Sequence, residues 1–412
     1  MGEGNGRDFW DWGVKRKETG MRIMFLASSY WPAQDGVSQV TQYLAEGLAK
    51  KHEVFVIATR KNYSEAEEHN GIKIERIHAK RNQYTCRYQG EKKRVRDSIL
   101  YYQPDVLIIV GIQHWGYDWF KGELAKLPGK KMLMTHGSSC LREYHVWEQL
   151  KQVRFRRQIA ADLIKVNYER YWGKYQKTLP VDMARFDLVS YLFQDEELYR
   201  HMRQAGLKNG MVLENATEDF FFERKAHLIN GSKDIVFINV STYEERKNQK
   251  MILEAFYEAN LPGTKLILIG SRENEYYQGL VKKKRSMETN GDFRGKIELW
   301  AGLPRKEVLE IYRDADIYVS ASSWEAMSIS LCEAAAGGLL ILSTDVGHVS
   351  QIPGVLLFDG KEELRKLMGK AYQEPDIRKE NGMRANAYAE ENYRIQKKVD
   401  LLESALIELV KK

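Results

Sequence analysis

Short apolar runs punctuate the chain, each too brief for a helix and bounded by turn-forming residues. Ile23 to Ala27, Val54 to Ala58 and Pro104 to Gly111 read as buried strands, and Lys131 to Gly137 ends a further one. From Asp234 the pattern restarts: Asp234 to Val240, Lys265 to Gly270, Asp316 to Ala321 and Leu339 to Leu342 are strands of the same kind. Ile72 to Ile77 instead alternates apolar and polar residues, as a half-buried strand does. Helical spacing fills the intervals. Val40, Leu44 and Leu48 share one face after the first strand, and Val399, Leu402, Leu406 and Leu409 make the last helix amphipathic. Strands alternating with helices predict parallel α/β sheets.

The first strand leads through Ser28 to Val37 into a helix and then a second strand, the opening of a Rossmann-like domain. Gly36 in that loop lets the backbone come close to a ligand. At 412 residues the chain fits two such domains better than one. Apolar content of 43% is ample for two cores, and no run approaches a membrane-spanning helix. Residues 1–20 hold Gly2, Gly4 and Gly6 with no strand before them and no apolar core of a signal peptide; they read as an extension ahead of the fold.

The stretch from Asp316 to Gly347 carries the most chemistry. It reads as strand, loop, helix, strand, with Ser328 or Ser330 placed to start the helix and Gly337-Gly338 to stop it. Glu325 and Glu333 stand eight residues apart, which on one continuous helix would not stack them on a single face. With Glu325 in the loop and Glu333 inside the helix, both face the crevice at the sheet's C-terminal edge. Between them the backbone N–H groups of Met327, Ser328, Ile329 and Ser330 form a helix start suited to a diphosphate. His136 also ends a strand, beside Gly137, where an imidazole can orient a hydroxyl.

Charge narrows the classes only a little. Lys plus Arg less Asp plus Glu is 64 − 57 = +7, compatible with an anionic substrate, a membrane surface or nucleic acid. The basic run from Lys80 to Arg96 is either a solvated face or a patch for anionic headgroups or a phosphate-bearing acceptor. From Cys140 to about Phe186, aromatic residues such as Tyr144, Trp147, Phe155, Tyr168, Tyr171, Trp172 and Tyr175 interleave with basic ones; helix packing explains them first, a membrane or acceptor surface second. No nucleic-acid module signature appears, which makes that reading poor, and no Gly-x-Gly-x-x-Gly follows a strand, which makes a Rossmann dehydrogenase the weakest reading. Asp314-Ala315-Asp316 opens a strand and is not read as a metal site. Cys86, Cys140 and Cys332 are few, scattered and without metal spacing, so a reducing cytoplasm is the simplest setting.

Glu325-x7-Glu333 resembles the signature of the retaining glycosyltransferases of family 4, and the resemblance extends over residues 21–412. It implies the GT-B fold: two facing Rossmann-like domains with a cleft between them. The corresponding boundaries are 21–212 for an acceptor-side domain, 213–385 for a nucleotide-sugar domain and 386–412 for a helix returning to the first. By resemblance Glu325 contacts the transferred sugar and Glu333 the ribose diol. Lys247 neutralises the diphosphate with the Met327–Ser330 amides, and Gly36 and His136 lie by the sugar. The segment ending at Leu303 would read the nucleobase through its backbone. The resemblance implies no cofactor or metal, and, since the departing phosphate oxygen accepts the acceptor's proton, no protein nucleophile. UDP is favoured over GDP, and the acceptor is a hydroxyl of a glycan or a lipid-linked molecule.

Several positions depart from the family pattern. Asp35 replaces the first of two loop glycines, Ser241-Thr242 replaces a Gly-Arg pair, and only Asn215 survives of Pro-Asn-Gly. Ala326-Met327-Ser328 stands for Gly-Phe-Gly and His348 for a second glycine after Gly347. Arg246 is the nearest candidate to make up for the missing arginine. A non-catalytic sugar-nucleotide-binding subunit and a nucleotide-sugar epimerase remain the alternative readings.

Overall fold

The structure is a computed structural model that describes residues 20–33, 35–60, 66–137, 141, 159–223, 234–289 and 291–412. Contacts divide it into two units, one of residues up to Leu213 together with Lys398–Lys412, the other of Glu214–Lys397. In the first unit the strands are β1 (Arg22–Ala27), β2 (Glu53–Thr59), β3 (Ala66–His69), β4 (Ile72–Ile77), β5 (Ala79–Arg81), β6 (Tyr88–Gly90), β7 (Val106–Val110), β8 (Lys130–Met134), β9 (Leu188–Tyr191) and β10 (Gly210–Val212). The second holds β11 (Ile235–Val240), β12 (Thr264–Gly270), β13 (Lys296–Ala301), β14 (Ile317–Ser320), β15 (Leu340–Ser343) and β16 (Leu356–Leu357).

The sheet of the first unit runs β10-β9-β8-β7-β1-β2-β4-β3, parallel throughout except where β3 meets β4. That of the second runs β13-β12-β11-β14-β15-β16, all parallel. Helices cover strands of this kind, so β7 is buried and apolar along its length, as are Ile23–Ala27 of β1 and Ile317–Val319 of β14, each large apolar side chain worth about 1.5–3 kcal/mol. The fold class is therefore α/β with a Rossmann-like sheet in each unit.

β4 departs from its alternating pattern: only Lys73 escapes burial. Its charges are sheltered by partners. Glu75 accepts from Arg94 Nε and Ser98 Oγ, both at 2.8 Å, and Arg76 donates to Glu67 Oε1 at 2.5 Å and to the Trp31 carbonyl. The basic run contains a β5–β6 hairpin and the helix Lys92–Tyr102. Much of its charge is paired inside the unit, Lys92 and Arg96 with Glu123 and Arg94 with Glu75 and Glu91. Lys80, Arg87 and Lys93 remain exposed.

In the helix Ile159–Met183 packing dominates, since Trp172 is fully buried and Tyr175 nearly so. The Arg81 guanidinium lies over the Trp172 ring at 4.7 Å. Tyr144, Trp147 and Phe155, as well as residues 1–19, lie outside the described residues. Among the described residues no helix is long and apolar enough to cross a membrane.

The last helix, Ile395–Lys411, packs within the first unit from Lys398 onward. A Cβ on Gly47 would come within 2.3 Å of Val399, so glycine in mid-helix allows the two helices to touch. Glu403 accepts from Lys51 at 2.7 Å and pairs with His52 Nε2 at 3.1 Å, while His52 Nδ1 accepts from the Met21 N–H. His52 is thus a structural residue.

Candidate functional site

In the second unit, β14 delivers the chain through Ala321 to Met327 into the helix Ile329–Ala336. Ser328 is its N-cap residue in extended conformation, but its hydroxyl pairs with Ser330 Oγ at 3.0 Å and does not cap a backbone amide. Ser330 is held further by the Tyr318 hydroxyl at 2.9 Å, and its carbonyl accepts from Tyr312 at 2.9 Å. The first-turn amides therefore keep the unpaired character of any helix start. Gly338, at φ +65°, turns the chain out of the helix into β15.

Glu325 sits in the loop, partly buried. Its Oε1 accepts from Lys247 Nζ, from Arg246 Nη1 at 3.3 Å and from Ser322 Oγ at 3.1 Å. Lys247 and Arg246 come from the loop after β11, which is fastened to the Glu325 loop by Ser323 N donating to the Arg246 carbonyl at 2.8 Å. Arg246 also donates to the Trp324 carbonyl at 2.7 Å and to Glu244 at 2.7 Å. Ser241 and Thr242 take structural parts instead: Gln249 Nε2 donates to Ser241 Oγ at 2.8 Å and to the Thr242 carbonyl at 2.9 Å. Asn248 at φ +49° then turns the chain into the helix Gln249–Ala259.

The Glu325 loop is buttressed from behind. Gly347, at φ +63°, packs so closely that a Cβ would lie 2.2 Å from the Ala326 carbonyl oxygen. His348 is buried, hydrogen-bonded to the Ala326 backbone and to the Tyr393 hydroxyl at 3.1 Å. Asn215 adds a bond from Nδ2 to the Met327 carbonyl at 2.8 Å.

Glu333 is inside the helix and almost wholly buried. Its Oε1 is paired with Arg305 Nη2, and the same guanidinium binds Glu218 Oε2 at 2.6 Å. Burial pushes the Glu333 carboxyl above its ordinary range, while Arg305 pulls it back. Leu303 lies half-buried two residues before Arg305, after a turn at Gly302 with φ +70°. Asp316 Oδ2 accepts from the Val236 N–H at 2.9 Å, joining β11 to the start of β14.

In the first unit, Gly36 is the first residue of the helix Gly36–Ala49 and not a loop residue. Asp35 is its N-cap, accepting from Ser38 N at 3.0 Å and from Ser29 Oγ at 2.7 Å. The aspartate that displaces a glycine thus supplies an anion to its own helix start. His136 lies two residues past β8 with φ +52°. Burial lowers its imidazole to about 4, with Asp35 pulling the other way, so it is neutral at neutral pH rather than a carrier of charge. Its Nε2 has no hydrogen-bond partner among the described residues.

Sequence reasoning missed Arg305, Glu218, Tyr312 and Tyr318. The only local signal was an arginine directly after Leu303-Pro304 at a helix start.

Residues 219–389 match the family described as Glycosyl transferases group 1, a stretch that takes in Lys247, Leu303, Arg305, Glu325 and Glu333. The second unit thus carries a glycosyltransferase group 1 domain.

Solved structures define the fold of the chain as a whole. Sucrose-phosphate synthase from Thermosynechococcus elongatus superposes with TM-score 0.69 at 13% identity, covering 94% of this chain and 99% of that one. HepE of Anabaena in complex with UDP gives 0.66 at 15% identity, with 94% and 100% covered. An E. coli structure named for trehalose-6-phosphate, with UDP-2-fluoro glucose bound, gives 0.67 at 12%, with 93% and 98% covered. The fold is of the GT-B type. No curated protein sequence matches the chain.

Proposed function

We propose that the chain is a retaining glycosyltransferase that moves a sugar from a nucleoside-diphosphate sugar to an acceptor hydroxyl. The observation that carries this reading is the helix start at Ile329, flanked by Glu325 on one side and Glu333 on the other, with Lys247 bonded to Glu325. The amides of Met327, Ser328, Ile329 and Ser330 receive phosphate oxygens, and Lys247 and Arg246 supply positive charge where the leaving diphosphate gains negative charge. Glu325 accepts from sugar hydroxyls, Glu333 from the ribose diol, and the backbone around Leu303 meets the base. The bond from the anomeric carbon to the diphosphate breaks as the acceptor oxygen bonds on the same face. The departing phosphate oxygen takes the acceptor's proton, so no protein nucleophile is required. Gly36 and His136 serve the sugar and acceptor side, His136 as a neutral imidazole that orients a hydroxyl.

UDP is the favoured nucleotide, supported by its presence in the HepE complex and, as UDP-2-fluoro glucose, in the E. coli structure. The acceptor class is a glycan or lipid-linked hydroxyl, and the setting a reducing cytoplasm, with the exposed Lys80, Arg87 and Lys93 available to an anionic membrane. The test is release of nucleoside diphosphate from a panel of UDP- and GDP-sugars, with and without acceptor. Release that Glu325→Ala abolishes is the expected result. Nucleotide binding without any release would leave a non-catalytic subunit, and interconversion of donors would reveal an epimerase.

A further inference from the structure

Glu333 is a carboxylate inside a helix, covered by protein, and such a group stays charged only with a close cation and hydrogen bonds. The cation is Arg305, at the first position of the helix Arg305–Asp314. Arg305 is itself pinned: Nε and Nη2 both reach Glu218 Oε2, at 3.2 and 2.6 Å, and the guanidinium stands 5.4 Å from the Phe221 ring. Among the described residues, the other groups facing Glu333 are the hydroxyls of Tyr312 and Tyr318, both held neutral by burial. Glu218, Arg305 and Glu333 therefore form one line of alternating charge, with Arg305 between two acids.

We propose that Arg305 is a positioning residue for ribose recognition: by binding Glu333 through Oε1 it keeps that carboxylate ionised and aims its remaining acceptor sites at a ribose diol. The proposal rests on the reading of Glu333 as the ribose ligand. An ionised carboxylate has about four lone-pair sites and can serve Arg305 and two hydroxyls together. A protonated one donates from one oxygen and loses the charge that strengthens its bonds to hydroxyls. Burial already pushes the Glu333 carboxyl upward, and Glu218 adds to that push, so removing the guanidinium drives it further toward the neutral form.

The experiment compares the affinities of UDP and 2′-deoxy-UDP by calorimetry at pH 6.5 and 8.5. Their ratio cancels the titration of the phosphates, which both ligands share. The intact chain should favour UDP by about tenfold or more at both pH values, the worth of a hydrogen bond to a charged group. In Arg305→Gln the ratio should fall toward one at pH 6.5 and recover in part at pH 8.5, while Arg305→Lys stays near the unsubstituted value. A wild-type ratio in Arg305→Gln at both pH values overturns the proposal. Glu218→Gln, which removes the acid that competes with Glu333 for Arg305, should keep or raise the ratio even if Arg305→Gln does not fold; a ratio near one there also overturns it. An unchanged ratio in Glu333→Gln would instead overturn the ribose reading itself.

Discussion

Lys247 donates from Nζ to Oε1 of Glu325, so the cation assigned to the diphosphate and the acid assigned to the sugar form one ion pair. The pair joins the loop after β11 to the loop after β14, strands that are hydrogen-bonded neighbours in the sheet. Substituting one member changes what the other is free to bind. The two side chains should accordingly give opposite signatures.

Glu325→Ala removes the proposed sugar contact and releases Lys247 from its ion pair. Turnover should fall by about 10²-fold or more, the scale of losing one charged group at the reacting centre. Nucleotide affinity, read by calorimetry, should hold or tighten. Undiminished turnover would remove Glu325 from the reaction.

Lys247→Ala takes away the charge proposed to face the leaving group and leaves Glu325 with Arg246 and Ser322. Nucleotide affinity should weaken by about tenfold or more, and turnover should fall with it. If affinity is untouched while turnover drops, the lysine serves the sugar and not the phosphates.

Gly347→Ala asks the backbone to hold φ +63° with a Cβ that would sit 2.2 Å from the Ala326 carbonyl oxygen and 2.7 Å from that of Glu325. The expected cost is about 2–4 kcal/mol, seen as a melting temperature lower by several degrees. Turnover of the folded fraction should fall too, because relief of the clash moves the Glu325 backbone. A variant with unchanged melting temperature and turnover would show that the loop needs no such support.

Burial holds the His348 imidazole at about 4, well below its ordinary 6.5. Between those two values the unfolded chain binds a proton that the folded chain does not, so stability falls as pH drops through that window and is unaffected above it. At pH 5 one such histidine costs about 2 kcal/mol. Denaturant unfolding at pH 7.5 and pH 5 should therefore show a smaller acid loss in His348→Gln than in the unsubstituted chain. Equal losses would mean that His348 titrates normally.

The sheets were legible because a buried parallel strand such as Val106–Val110 declares itself through an unbroken apolar run. β4 reads as half-buried in the sequence because Glu75 and Arg76 look solvent-facing without Arg94 and Glu67 beside them, and pairing at that distance leaves no periodic trace. Glu325 and Glu333 could be found from spacing, since both belong to one strand-loop-helix unit. Arg305 could not, because it stands 28 residues before Glu333 on a different helix. The hairpin within the basic run was hidden for a similar reason. Its strands are three residues each, shorter than any alternation can mark.

The clasp of Glu403 on Lys51 and His52 bears on biosynthesis. Residues up to Leu213 leave the ribosome before the second unit, yet the helix that covers Gly47 is translated only after all of that unit. An amino-terminal fragment, whether nascent or cloned, carries the uncovered Gly47 face into solution, where chaperones or aggregation would meet it. Supplying a peptide of residues 395–412 in trans should solubilise such a fragment.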